Sequence, residues 1–191
     1  MTALRTARLS GRPIRASDAR HAADLFGRDE VGRFVAESRR AWTTELAFDR
    51  ALSFAAHWPA HGFGLRVWEI APAPADDGAG AGGALPPAFA GVAGLQFCVL
   101  EGRGAIEVSF AFLPEFWGKG LAREALEAVL GEAAGVCREI EAVAHADNLR
   151  AAALLARVGF AAMDAPEVGA EAGAGSAAAA ETRRYRLRLA P

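Results

Sequence analysis

The chain has 191 residues, 23 Asp+Glu against 21 Lys+Arg, a formal net charge of -2, a hydrophobic fraction of 52% and 2 cysteines. A length in the range of about 100–200 residues typical of one domain leaves little room for a second, and near-neutral charge argues against a dedicated nucleic-acid binder, which needs a basic excess to neutralise phosphates. No apolar run approaches the roughly 18 residues of a membrane span and the first eight residues hold no apolar leader core, so no membrane partner and a cytoplasmic location are expected.

In chain order, Leu9 to Ile14 reads as a first strand, and Ser17-Asp18 as the N-cap of a helix carrying Ala22, Ala23, Leu25 and Phe26. Thr43 or Thr44 opens a second helix through Leu46, Ala47, Ala51, Leu52 and Phe54, with Pro59 as its limit. Leu65 to Ile70, Phe89 to Val99 and Ile106 to Leu113 read as strands. The last alternates Ile106, Val108, Phe110 and Phe112 against Glu107, Ser109 and Ala111. Leu121, Ala125, Val129 and Ala133, widened by Leu126 and Leu130, form a helical stripe. Ile140 to Ala144 is a short strand, Asn148 to Val158 a helix ended by Gly159, and Thr182 to Leu189 a final strand. Two Ala/Gly/Pro-rich stretches, near 71–88 and 164–180, read as surface inserts, because such side chains cannot offset the entropy of ordering. The whole is a mixed α/β (α+β) chain of one domain, residues 1–191.

The junction Gly118-Lys119-Gly120 lies between a strand closed by Pro114 and the long helix, where backbone N–H groups lack partners at the positive end of a helix dipole. Two readings stand: an anion site carrying the chain's sole lysine, or a tight turn that needs glycine. A P-loop fits worse, since it requires four residues between its glycines and a Gly-Lys-Ser/Thr ending, whereas Gly120 and Leu121 follow Lys119. Arg123 stands where a dinucleotide fingerprint needs glycine or alanine. Cys98 and Cys137 are far apart, in no pattern for zinc or a disulfide, and read as buried small hydrophobes. His57 and His61 have helical spacing, but Pro59 intervenes and no third ligand is evident, so no metal is expected. Trp42, Trp58 and Trp68 either line a cleft or belong to the core, and Arg39 and Arg40 read as a solvated helix end or the rim of a cleft.

The run Phe112 to Leu126, which contains Phe116-Trp117-Gly118-Lys119-Gly120-Leu121-Ala122, is followed by Asp147-Asn148-Leu149-Arg150 and Val158-Gly159-Phe160. Together they resemble the acyl-CoA-binding core of the GNAT N-acetyltransferases, closest to the ribosomal-protein N-terminal (RimJ/RimL-like) branch. Thr6-Ala7-Arg8-Leu9, Ser17-Asp18-Ala19 and the segment from His57 to Leu65 extend the resemblance over nearly the whole chain outside the two inserts. It implies a central twisted mixed sheet flanked by helices. It also implies an acetyl-CoA pyrophosphate held by N–H groups from about Phe116 to Ala122, with pantetheine beside Phe112 and Leu113 where that strand splays from the next. Asn148 matches a family asparagine near the cofactor, and is equally an N-cap. Homodimerisation is a further family expectation.

The reaction implied is direct attack of a primary amine, from a protein N-terminus or a small molecule, on acetyl-CoA in a ternary complex. A carboxylate on the splayed strand is the natural base, and alternation selects Glu107, whose other reading is a solvated or ion-paired strand-end carboxylate. Two positions depart from the family: Leu155 replaces a frequent tyrosine and Ala151 a frequent serine, so no hydroxyl stands ready to protonate the leaving thiolate. Tyr185 is either a substitute acid or a core residue. Those departures keep open a noncatalytic acyl-CoA-binding sensor or assembly module, and another acyl-CoA such as succinyl-CoA remains an alternative donor.

Overall fold

A computed structural model describes residues 3–35, 43–71, 88–100, 102–163 and 182–189. In chain order they form β1 (Leu4–Arg5), β2 (Leu9–Pro13), a 3-10 turn (Ala16–Asp18), α1 (Ala19–Gly27), α2 (Asp29–Gly32), α3 (Thr44–His61), β3 (Leu65–Ile70), β4 (Phe89–Leu100) and β5 (Arg103–Phe112). A second 3-10 turn (Pro114–Phe116) follows, then α4 (Leu121–Ala133), β6 (Glu139–His145), α5 (Leu149–Arg157), β7 (Ala161–Ala162) and β8 (Thr182–Arg188). One sheet contains all these strands in the order β1-β2-β3-β4-β5-β6-β8-β7. Its pairs are antiparallel except β5 with β6, which run parallel and share one registered position, Glu107 opposite Glu141.

Strand alternation divides the core between two faces. On one, Leu95, Val108 and Phe112 meet the α4 stripe of Leu121, Ala125, Leu126 and Val129, continuing through Ile140, Ala142, Leu155 and Tyr185. On the other, Val67, Val92 and Leu113 pack with Ile14, Leu25 and Val31. The tryptophans Trp58 and Trp68 are core residues: each is buried and donates its indole N–H to a carbonyl, of Leu65 at 2.9 Å and of Ala93 at 3.1 Å respectively. Gly11 is required beneath Trp68, because a Cβ there would come within 2.8 Å of the ring.

Three sequence expectations change. Pro59 does not end the second helix; α3 runs through it to His61 and stops at Gly62, whose φ of 78° and N–H bond to the Trp58 carbonyl at 2.8 Å make the C-cap. Proline removes one helical donor, and Trp58 anchors the turn on both sides of that gap. Asp18 does not cap α1: its carboxylate accepts the Arg15 N–H at 2.8 Å and pairs with Arg12 at 2.7 Å, fastening the 3-10 turn to β2. The cysteines are half-buried rather than buried, and both are free. Thr43 does cap α3, accepting the Leu46 N–H at 3.2 Å. Trp42, Arg39, Arg40 and nearly all of both Ala/Gly-rich stretches lie outside the described residues.

β4 and β5 run on past the start of β3, whose last partner in that direction is Gly94. There His57 supports the overhanging hairpin: Nε2 accepts the Phe97 N–H at 2.9 Å, while Nδ1–H donates to the Phe63 carbonyl at 2.8 Å. With both ring nitrogens engaged, His57 is a structural neutral imidazole. The His61 ring lies 4.3 Å away.

Candidate active site

The site begins where the sheet stops pairing. The constant β4–β5 register, with the Leu113 N–H on the Ala90 carbonyl at 2.9 Å, turns the backbone groups of odd-numbered β5 residues toward β4 and those of even-numbered residues toward β6. Beyond Glu107 opposite Glu141, no β5–β6 pair forms among the described residues. The N–H and C=O of Phe110 and the N–H of Phe112 therefore face an open wedge between the strands. The Phe112 carbonyl is already occupied by the Trp117 indole N–H at 2.7 Å. Leu113, expected beside Phe112 in the cofactor site, offers no backbone donor, since its N–H goes to Ala90 and its carbonyl accepts Phe116 N–H at 3.0 Å.

The chain then turns through Pro114–Phe116 into the glycine pair. Gly118 and Gly120 have φ of 73° and 76°, a left-handed conformation that side-chain-bearing residues avoid. A Cβ at Gly118 would meet nothing within 4 Å, so conformation rather than space demands glycine there. The first N–H of this region bound to a helical acceptor is that of Glu124, on the Gly120 carbonyl at 3.1 Å. Among the described residues the N–H groups of Gly118, Lys119, Gly120, Leu121, Ala122 and Arg123 have no hydrogen-bond acceptor, and they cluster at the positive end of α4. The N–H groups of Phe116 and Trp117, which the sequence reading included in the donor run, go to the Leu113 and Pro114 carbonyls in the 3-10 turn.

Basic side chains surround this nest. The Lys119 ammonium lies 5.6 Å from the Phe116 ring centre, and the Arg150 guanidinium 4.7 Å from that of Trp117. Arg8, which sequence reasoning did not assign to the site, donates to the Lys119 carbonyl at 2.8 Å and to Glu124 at 2.7 Å. Glu124 also accepts from the Thr6 hydroxyl at 2.6 Å and the Arg8 N–H at 2.8 Å. Burial pushes the Glu124 carboxyl up, but these bonds to Thr6 and Arg8 outweigh it and hold the group below its ordinary range. Asn148 caps α5, its Oδ1 accepting the Ala151 N–H at 3.1 Å.

Glu107 lies on the face opposite Val108 and Phe112, as alternation predicts, and is half-buried. The Cys98 thiol, which donates to the Ala105 carbonyl at 3.7 Å, and the Val143 N–H favour the ionised form of Glu107; burial chiefly, then the charge of Glu141, lift it above its ordinary range despite them. Burial and the Glu107 carboxylate push Cys98 up to about 11, which keeps it a thiol. Ser109, on the same face, accepts from the Gln96 amide at 2.9 Å. Leu155 and Tyr185 belong to the core on the far face.

The sheet thus splays beside a left-handed glycine turn and a helix N-terminus, leaving backbone N–H groups open on both. The chain belongs to the GNAT acetyltransferase family: a family model described as an acetyltransferase (GNAT) domain matches residues 8–161. It is thus an acetyltransferase of one GNAT domain, an open multi-stranded sheet flanked by helices, working with acetyl-CoA. A Bordetella pertussis protein described as a GnaT-family acetyltransferase is similar at 21% identity and TM-score 0.71, over 97% of this chain and 99% of the other. An acetyltransferase from Agrobacterium tumefaciens has 19% identity and TM-score 0.70, over 99% and 95%. RimL, a ribosomal L7/L12 α-N-protein acetyltransferase solved with coenzyme A, has 14% identity and TM-score 0.68, over 98% of both chains. No curated protein matches the chain. Among the described residues no helix is long and apolar enough to cross a membrane.

Proposed function

We propose that this protein acetylates a primary amine by direct attack on acetyl-CoA in a ternary complex, with Glu107 as the base. The observation that carries the reading is the position of Glu107: a half-buried carboxylate with a raised proton affinity, on the strand that borders the wedge. An attacking amine must be neutral, and an α-amino group titrates at about 7.7–8.0, so a carboxylate acting directly or through one water suffices to remove the proton. The N–H groups of Gly118 to Arg123 would hold the pyrophosphate, with Lys119 and Arg150 adding positive potential. The wedge-facing groups of Phe110 and Phe112 would bond the pantetheine amides as an added strand does, and the Phe110 N–H would polarise a thioester carbonyl. The new N–C bond forms as the C–S bond breaks; the amine proton goes to Glu107, and the departing thiolate, whose thiol titrates at about 8.5, takes its proton from solvent.

Within the family we place the chain in the RimJ/RimL-like branch, acting in the cytoplasm on a protein N-terminus or small-molecule amine. The similarity to RimL supports this on fold, and the Trp117-Gly118-Lys119-Gly120 run supports it on sequence. A panel of N-terminal peptides, polyamines and amino sugars, read by thiol release, tests it. Release with no panel member, alongside intact acetyl-CoA binding, would favour the noncatalytic module, to which Ala151 and the core position of Leu155 lend support.

A further inference from the structure

Adjacent to Glu107 is a second carboxylate that the reaction does not use. Glu141 is 2% exposed, the most deeply buried acid of the described residues, and it occupies the single registered position opposite Glu107. A carboxylate removed from water needs compensation, and here two arginines from different strands supply it: Arg103 of β5 on Oε1 and Arg184 of β8 on Oε2. Arg186 stands 3.8 Å from Oε1 and is itself drawn to Glu139 at 3.2 Å. The influences on Glu107 are burial, the Cys98 thiol, the charge of Glu141 and the Val143 N–H.

We propose that Glu141, bracketed by Arg103 and Arg184, is a positioning residue that sets the charge environment of Glu107 across the last closed rung of the β5–β6 junction. Two neighbouring carboxylates in a poorly hydrated place do not both ionise freely, and compensating only one pushes their proton affinities apart. The arginines hold Glu141 ionised, below the ordinary carboxylate range although burial alone would raise it. Its fixed charge then acts on Glu107 at one residue's remove. Cys98 of β4 and Glu141 of β6 act on Glu107, and by strand register Arg103 of β5, Glu139 and His145 of β6, and Arg184, Arg186 and Arg188 of β8 share its face of the sheet. The assignment rests on Glu107 being the base for its kinetic readout, but not for its spectroscopic one.

Opposite substitutions give opposite shifts. Glu141→Gln removes the like charge and frees two guanidinium groups, so Glu107 ionises at lower pH. Arg184→Met leaves Glu141 less compensated, so Glu107 ionises at higher pH. Arg103→Met does the same more weakly, because Arg103 is 45% exposed and its charge partly screened. The test is the carbon-13 NMR titration of Glu107 in protein labelled at glutamate carboxyls, beside the pH profile of kcat/KM. Glu141→Gln is expected to move the Glu107 midpoint down and to raise kcat/KM several-fold at a fixed pH on the acid limb. The arginine variants move it up, and Glu141→Asp stays near wild type. An unmoved midpoint in Glu141→Gln overturns the proposal; if that variant does not fold, an unmoved midpoint in Arg103→Met does. A midpoint that shifts as described while Glu107→Gln retains full activity instead overturns the base assignment and leaves this inference standing.

Discussion

Ala122→Pro separates phosphate binding from helix stability. Ala122 is the second residue of α4, after the left-handed Gly120 N-cap and Leu121. A helix does not use the N–H groups of its first turn, so proline there is tolerated where in a helix interior it costs about 3 kcal/mol or more. The Ala122 side chain is half-buried against the α4 cluster, and the added ring atoms face that partly filled edge. Unfolding free energy is therefore expected to change by less than about 1 kcal/mol. Binding should change far more, because one of the N–H groups from Gly118 to Arg123 disappears, and a hydrogen bond to a charged group is worth about 1.5–3 kcal/mol. That is a loss of about 10- to 150-fold in acetyl-CoA affinity. Calorimetric titration of acetyl-CoA beside urea unfolding measures both quantities on one preparation. Binding within twofold of wild type, with unfolding unchanged, would refute the assignment of the α4 N-terminus as the pyrophosphate site.

Glu107→Gln removes the base and should lower kcat/KM by about 10²-fold or more, read by thiol release. In the wild type the acid limb of the same profile should lie above the ordinary glutamate range, since burial and Glu141 raise Glu107 and the base works only when deprotonated. Asp18, 4% exposed, is held low by Arg12 and the Arg15 N–H against the upward push of burial. Its pairing stabilises fully above the unfolded value of about 3.9 and is lost as pH falls through the lower folded value, so Asp18→Asn should cost about 3 kcal/mol at neutral pH and flatten the acid side of the stability profile. Arg8→Met frees the Lys119 carbonyl and leaves Glu124 facing the nest, and should weaken acetyl-CoA binding; Arg8→Met with Glu124→Gln should recover the part due to charge. Equal affinities in wild type and Arg8→Met would remove Arg8 from the site.

Legibility followed the range of the interaction. The α4 stripe, the β5 alternation that sets Glu107 against Val108 and Phe112, and the Asn148 cap are local patterns, and the structure reproduces them. Residue types alone misjudged Pro59 and Asp18, because each is governed by a partner elsewhere: Trp58 wedged against Leu65, and Arg12 on β2. The two-residue strands β1 and β7 carry too short a pattern to be read at all. Arg8 joins the glycine nest across 111 residues of sequence, and only the Thr6-Ala7-Arg8-Leu9 run hinted at it. Glu141 lay inside a correctly read strand, but its burial, its arginines and its register with Glu107 are products of pairing between distant segments.

The residue that would take the proton stands where the pairing of β5 with β6 ends. A parallel ladder continued past Glu141 would consume Val143 N–H and the groups of Val108 and Phe110, leaving no wedge. Pairing stops after Glu107 opposite Glu141, so the unpaired groups of Phe110 and Phe112 lie next to the residue that would take the proton. Burial, with the charge of Glu141, keeps its proton affinity high. Glu141, one strand away, has the opposite arrangement: two guanidinium groups and no role at the wedge. A carboxylate paired as Glu141 is would be too weak a base for an amine, and one placed as Glu107 is but without the neighbouring charge would lose part of its basicity.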